Sequence, residues 1–168
     1  MRFAAVLPFF SIGHIASAVS VTLPKHNDLQ PWQISQLTTF SPSGRPGSSP
    51  WSIIDITISD PNDHPVVPTN CTAKWTFEEP PYNRIERCTE VPGAEWSFEM
   101  VKSESEQASP TMDFVLRFTL VREHETYLGV AKFVIGDNMR GLCSASGVCS
   151  FGLKEEMTPF LVNQARVV

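Results

Sequence analysis

Cys71-Thr72-Ala73-Lys74-Trp75-Thr76-Phe77-Glu78 alternates residue by residue between an apolar set, Cys71, Ala73, Trp75 and Phe77, and a polar set, Thr72, Lys74, Thr76 and Glu78. Successive side chains of a β-strand point to opposite faces, so this stretch reads as a strand with one face in a core and the other in water. The same period of two recurs on both sides of it. Ile54, Ile56 and Ile58 fall on one face, against Asp55 and Thr57 on the other. Trp96, Phe98 and Met100 alternate with Glu95, Ser97 and Glu99; Met112, Phe114, Leu116, Phe118 and Leu120 share a face. Tyr127, Ala131, Phe133 and Ile135 belong to a further strand beyond the polar turn at residues 122–125.

Between these runs lie Asp60-Pro61-Asn62-Asp63, Glu79-Pro80-Pro81, Pro92-Gly93, residues 103–110 and Gly136-Asp137-Asn138, all rich in turn-forming residues. No stretch of twelve residues carries a helical period, although residues 153–162 suit a turn of helix around Pro159. The expected fold is therefore all-β, six to ten antiparallel strands in a single barrel or sandwich. The first ordered element should begin near Trp32, with Ile34 and Leu37 as further apolar anchors. Residues 41–50, with three prolines, two glycines and four serines, can only be a loop.

The chain starts as a secretory signal peptide does, with Arg2, an apolar run over residues 3–15 and the small pair Ala16 and Ala18. Cleavage is expected between Ala18 and Val19. A membrane anchor fits less well, because His14 interrupts the run and no stop-transfer pattern follows. Residues 19–31 should form a flexible N-terminal segment and residues 32–168 one domain. Without residues 1–18 the chain loses only Arg2 among its charges and keeps 12 basic against 18 acidic residues, a net charge of −6. An acidic chain with no Lys/Arg cluster argues against a nucleic-acid partner and against binding to an anionic membrane surface.

Cys71, Cys88, Cys143 and Cys149 form an even set in a chain bound for an oxidising compartment, so two disulfides are expected. Three connectivities are open to four cysteines. Sequential pairing, Cys71 with Cys88 and Cys143 with Cys149, is favoured because each bridge then joins neighbouring strands or closes a local loop. No Cys-x2-Cys or paired histidine supplies metal-ligand spacing. Asn70-Cys71-Thr72 is a glycosylation sequon, with Asn70 as the acceptor in a eukaryotic secretory pathway.

Catalytic patterns are hard to find. His26, His64 and His124 stand apart from one another, beside turn or polar residues. There is no Gly-x-Ser-x-Gly, no His-Glu-x-x-His and no phosphate-cradling glycine loop. The acid pairs Glu78/Glu79, Glu104/Glu106 and Glu155/Glu156 could in principle serve a glycosidase, but they fall on polar faces or in loops, where carboxylates serve solubility. No catalytic residue, metal or cofactor is therefore assigned. Trp75 and Trp96 are expected in the core. Trp32 and Trp51 bracket the 41–50 loop and are expected to clamp it or to line a ligand groove.

The order Trp32-Gln33-Ile34-Ser35, Gly44-Arg45-Pro46-Gly47, an alternating strand, Cys71, Cys88, Tyr127 and the Cys143/Cys149 pair resembles the Alternaria major-allergen family of fungal secreted proteins. The resemblance spans residues 32–151 on sparse anchors. It implies a compact antiparallel β-barrel with the same two intrachain disulfides, secreted into the fungal wall or the host apoplast. It also implies allergenicity, elicitation of plant defence, and binding of host defence proteins or small phenolic ligands, with no firmly established enzymatic activity. Two features depart from the family. No cysteine precedes Asn70 in the mature part, so the founding allergen's covalent dimer is not expected, and the Cys143-x5-Cys149 loop is shorter.

The sequence thus points to a secreted, non-enzymatic, effector- or allergen-like virulence protein that binds a host extracellular protein through its 41–50 and 103–110 loops. The alternatives are a carrier of a small phenolic or apolar ligand and a structural protein of the fungal wall or spore surface.

Overall fold

The computed structural model describes residues 29–167. The expected signal peptide at 1–18, its cleavage site and nearly all of the 19–31 segment lie outside the described residues, as does His26. Eleven strands follow in order: β1 (Trp32–Ser41), β2 (Ser52–Ser59), β3 (Thr69–Trp75), β4 (Ile85–Arg87), β5 (Glu95–Lys102), β6 (Asp113–Arg122), β7 (Glu125–Val134), β8 (Met139–Cys143), β9 (Cys149–Leu153), β10 (Phe160–Val162) and β11 (Gln164–Val167). One sheet has the order β3-β2-β1-β9-β8, with β10 also paired to the start of β1; the other has the order β11-β7-β6-β5-β4. All pairings between these strands are antiparallel.

The two sheets face each other as an open sandwich, the second of the two architectures expected, and not the closed barrel that the resemblance would imply. One cluster of buried residues fills the space between them. The inward sets read from the alternation are there: Ile54, Ile56 and Ile58 from β2, Cys71, Ala73 and Trp75 from β3, Trp96, Phe98 and Met100 from β5, and Phe114, Leu116, Phe118 and Leu120 from β6. Their large apolar areas, removed from water on both inner faces, are the main stabilising term of such a fold.

β1 shows why part of the pattern was harder to read. Trp32 and Ile34 point inward, and so do Leu37 and Thr39, an apparent slip of one residue. The pairing with β2 jumps from Ile34↔Ile58 to Gln36↔Thr57, leaving Ser35 as the extra residue of a β-bulge. The bulge resets the parity and keeps both halves of the strand facing the core.

Two expectations about the core fail. Phe77 is 99% exposed, because β3 ends at Trp75 and the chain leaves the sheet before the alternation reaches it. Met112 is 42% exposed for the converse reason, since β6 begins only at Asp113. Residues 153–162 contain a single 3-10 turn at Glu155–Met157, after which Phe160–Val162 forms a strand; eleven strands, not six to ten, is the result.

The sheets are laced along one side by the Cys71–Cys88 disulfide, which joins edge strand β3 to the residue following edge strand β4. Thr89 N donates to Asn70 O at 2.7 Å, and Thr69 Oγ1 donates to Thr89 O at 2.6 Å beside it. On the other side the chain crosses directly from β10 in one sheet to β11 in the other through Asn163. Cys143–Cys149, the second disulfide, closes the β8–β9 hairpin. Both expected pairings are present.

Candidate functional site

At one end of the sandwich four connections converge on a groove of about 840 Å³. The β1–β2 loop supplies Ser43, Gly44, Arg45 and Pro50; the β3–β4 loop supplies Phe77, Glu78, Pro80 and Tyr82; the β5–β6 loop supplies Ala108, Ser109, Pro110 and Met112. Cys149 and Phe151 of the β8–β9 hairpin close the remaining wall, and Trp75 lines the groove from the end of β3. The two loops singled out from composition, 41–50 and 103–110, thus lie along the same groove although about sixty residues separate them in sequence.

Each loop is held by its own chemistry. Ser48 N donates to Arg45 O at 3.0 Å, and Ser48 Oγ donates to the same oxygen at 2.6 Å. Gly44 and Gly47 take positive φ angles of 67° and 82° on either side of that turn, a conformation that side chains disfavour. In the β3–β4 loop, Glu79 N donates to Thr76 Oγ1 at 3.3 Å, and Asn83 N returns the chain to Met100 O at 2.8 Å. The β5–β6 loop is pinned below the groove: buried Thr39 Oγ1 on β1 donates to Thr111 O at 2.9 Å, linking the two sheets. Tyr82 is half-buried at the edge, and burial, with a lesser contribution from the negative charge of Asp113, pushes its hydroxyl above the usual phenol range.

Phe77 is the outstanding residue of this end. Its ring is 99% exposed and is followed immediately by Glu78, Glu79 and Pro80. The signal that could have found it was the Glu-Glu-Pro-Pro run at 78–81, which ends any strand before Phe77 can be drawn inward. The charged residues lining the groove are Arg45, Glu78 and Lys102; Glu79, Glu104 and Glu106 are exposed in the same loops, outside the lining.

Other expected site residues are scattered. Trp32 is fully buried, packed edge-to-face on Trp96 with ring centroids 4.8 Å apart, whereas Trp51 is 47% exposed; neither clamps the loop nor lines the groove. The reason is the inward parity of β1, which takes Trp32 into the core. His64 lies exposed in the β2–β3 loop and His124 in the β6–β7 turn. Glu104, Glu106, Glu155 and Glu156 are exposed. Among the described residues no group of three His, Cys, Asp or Glu could hold a metal ion. Asn70 is exposed on the outer face of β3, where its Oδ1 accepts a hydrogen bond from Thr57 Oγ1 at 2.9 Å.

Comparison with known proteins finds no family model, no curated protein and no solved structure that matches the chain. The functional reading therefore rests on the residues themselves.

Proposed function

We propose that this is a secreted, non-enzymatic binding protein of the effector or allergen-like kind, acting outside the cell by gripping a host extracellular protein at the loop end of the sandwich. The observation that carries this reading is Phe77. An aromatic ring held clear of a disulfide-stapled scaffold, beside an apolar groove, is the form of a binding anchor, since aromatic side chains dominate the energetics of protein interfaces. Two disulfides, and the lack among the described residues of any helix long and apolar enough to cross a membrane, are compatible with an extracellular location.

The test is capture from plant apoplastic fluid on the oxidised protein, with a reduced and alkylated sample as control. Binding of the purified captured protein is then measured. Phe77→Ala should weaken binding at least tenfold while leaving the unfolding temperature unchanged, because the ring touches almost nothing in the free protein. Undiminished affinity in Phe77→Ala would remove the groove end from the interface.

A second reading, carriage of a small phenolic molecule, is favoured by the groove's aromatic and sulfur-bearing lining of Trp75, Phe77, Tyr82, Met112 and Phe151. Its volume falls within the roughly 300–1,000 Å³ usual for small-molecule sites. The space between the sheets is filled by the protein's own side chains, so this reading places the ligand in the surface groove. Titration with a flavonoid, followed by intrinsic tryptophan fluorescence, separates the two readings.

A further inference from the structure

The Asn70-Cys71-Thr72 sequon lies outside the groove, and in the folded protein all three of its residues are engaged. They pair in β3 with Thr57, Ile56 and Asp55 of β2. On the other side of the strand, Asn70 O accepts a hydrogen bond from Thr89 N at 2.7 Å. Thr72 Oγ1 donates to Asp55 Oδ1 at 2.7 Å, so the hydroxyl that completes the sequon is occupied. Cys71 is fully buried in its bridge to Cys88. A glycosyltransferase must grip the acceptor amide and that hydroxyl together, and the finished sheet releases neither.

The finished sheet does have room for a glycan already attached. Asn70 is exposed and points outward while Cys71 beside it points into the core, as successive residues of a strand do. Asn70 Oδ1 is taken by Thr57 Oγ1, whereas Nδ2, the atom that carries an N-linked sugar, has no partner among the described residues. The neighbours on that face, Thr57 and Thr72, are polar.

We propose that Asn70 is N-glycosylated while the chain is still unfolded, and that closure of the Cys71–Cys88 bridge ends its chance of modification. The proposal rests on the secreted reading above, taken in a eukaryotic secretory pathway. The donor is an oligosaccharide linked to a polyprenyl diphosphate. The new bond joins Asn70 Nδ2 to the anomeric carbon of the sugar; the bond from that carbon to the diphosphate breaks, the diphosphate leaves with its electron pair, and Nδ2 gives up one proton. Bridge closure is the competing reaction, in which two thiols lose two protons and pass two electrons to a disulfide-bearing oxidoreductase of the same compartment. Order of entry favours the sugar. Cys71 is the first cysteine of the chain, so no bridge can trap it earlier. Cys88 follows it by 17 residues, an interval of about 1–3 s at a synthesis rate of roughly 5–20 residues per second. During that interval the bridge cannot form; afterwards its closure, a matter of seconds or longer, draws β3 into the sheet. Occupancy is therefore partial and is set by this race.

The test is expression of the full chain in a eukaryotic host, pulse-labelled and digested with a peptide N-glycosidase. One arm keeps the chain's own N-terminus; in the other a host secretory leader replaces residues 1–18, which guarantees entry into the pathway. Total labelled cell protein is read, so the result does not depend on whether a variant folds well enough to be exported. The expected result is two bands in the parent that digestion merges into one, and the lower band alone in Asn70→Gln. In Cys88→Ser the unmodified fraction should fall severalfold. The paired change Cys143→Ser with Cys149→Ser removes the other bridge, leaves Cys71 its partner, and should keep the parent's ratio. Absence of any digestible band behind the host leader overturns the proposal, whereas absence behind the chain's own N-terminus alone counts against the secreted reading. A ratio unmoved in Cys88→Ser, or moved equally in the 143/149 variant, overturns the race with the bridge.

Discussion

The indole of Trp32 occupies the space that a side chain on Gly129 would need: a Cβ placed there would lie 2.6 Å from Cζ3 and 2.9 Å from Cε3 of the ring. Gly129 on β7 is thus the recess into which the fully buried Trp32 of the facing sheet fits. Asn163 O, 3.0 Å from the same point, blocks the other direction of escape. Gly129→Ala is therefore expected to destabilise the fold by about 1–3 kcal/mol, the usual range for overpacking a core. Urea denaturation checks this, and a double-mutant cycle with Trp32→Leu should recover at least about 0.5 kcal/mol of coupling, because the shorter side chain vacates the contested space.

The two disulfides should differ in weight. Cys71–Cys88 spans 17 residues and ties the two sheets together through a fully buried Cys71, whereas Cys143–Cys149 spans 6 and closes one hairpin at an edge. In the chain-entropy account the loops are worth about 3 and about 2 kcal/mol respectively. Paired Cys→Ser replacement at 71 and 88 is expected to cost the larger amount, and more than the entropic figure, since two polar hydroxyls then enter the inter-sheet space. The 143/149 pair should cost about 2 kcal/mol or less and leave the core protected in hydrogen exchange, while the hairpin wall of the groove exchanges faster.

What the sequence disclosed and what it hid follow from where period two has meaning. On β2, β3, β5 and β6 each strand has one wet and one dry face, and the alternation names the core directly. Phe77 and Met112 were misplaced because alternation was carried past a strand's end, where no sheet remains to enforce it. On β1 the Ser35 bulge breaks the parity. Edge strands β4, β8 and β11 are largely exposed on both faces and have no contrast to read. The loops of the groove were legible as loops from proline, glycine and serine, but their convergence is a property of sheet order, to which no local pattern in the chain refers.

At the end of the sandwich away from the groove, Arg122 of β6 holds two carboxylates of the β2–β3 loop, Asp60 at 3.2 Å and Asp63 at 2.7 Å. Asp60 is 2% exposed and also accepts bonds from Asn62 N at 2.9 Å and Gln164 Nε2 at 3.2 Å. Arg122→Gln strips the buried carboxylate of its cation and is expected to cost about 3 kcal/mol. Burial is the main reason that Asp63 sits above the usual carboxylate range; Arg122 opposes it, Asp60 adds to it and His64 opposes it. A carboxyl raised in the folded state binds its proton more tightly there than in the unfolded chain. Its stabilising contribution is full below the unfolded value of 3.8 and is lost as pH rises through the folded one. Measured against Asp63→Asn, the parent should therefore lose relative stability as pH is raised from about 3 to about 6, and a difference that grows in the other direction would contradict the assignment.

The β5–β6 loop allows folding and binding to be separated. Its lower part is structural: Ser103 and Thr111 are buried, and Thr111 O receives the inter-sheet bond from Thr39. Its tip, residues 104–107, carries Glu104 and Glu106 in solvent and holds a single backbone turn from Ala108 N to Ser105 O. Deleting residues 104–107 should therefore shift the unfolding temperature by no more than about 2 °C, as surface changes away from the core usually do. If the tip of this loop meets basic residues of a partner bound at the groove end, the same deletion removes two exposed acids, and affinity should fall together with its sensitivity to salt. Charge pairs exposed at a rim act over about 10 Å at 0.1 M ionic strength and are screened above it. Binding titrations at low and high salt check this: a parent whose affinity drops with salt and a deletion variant whose affinity barely responds place the acidic loop in the interface, and equal salt dependence in both removes it.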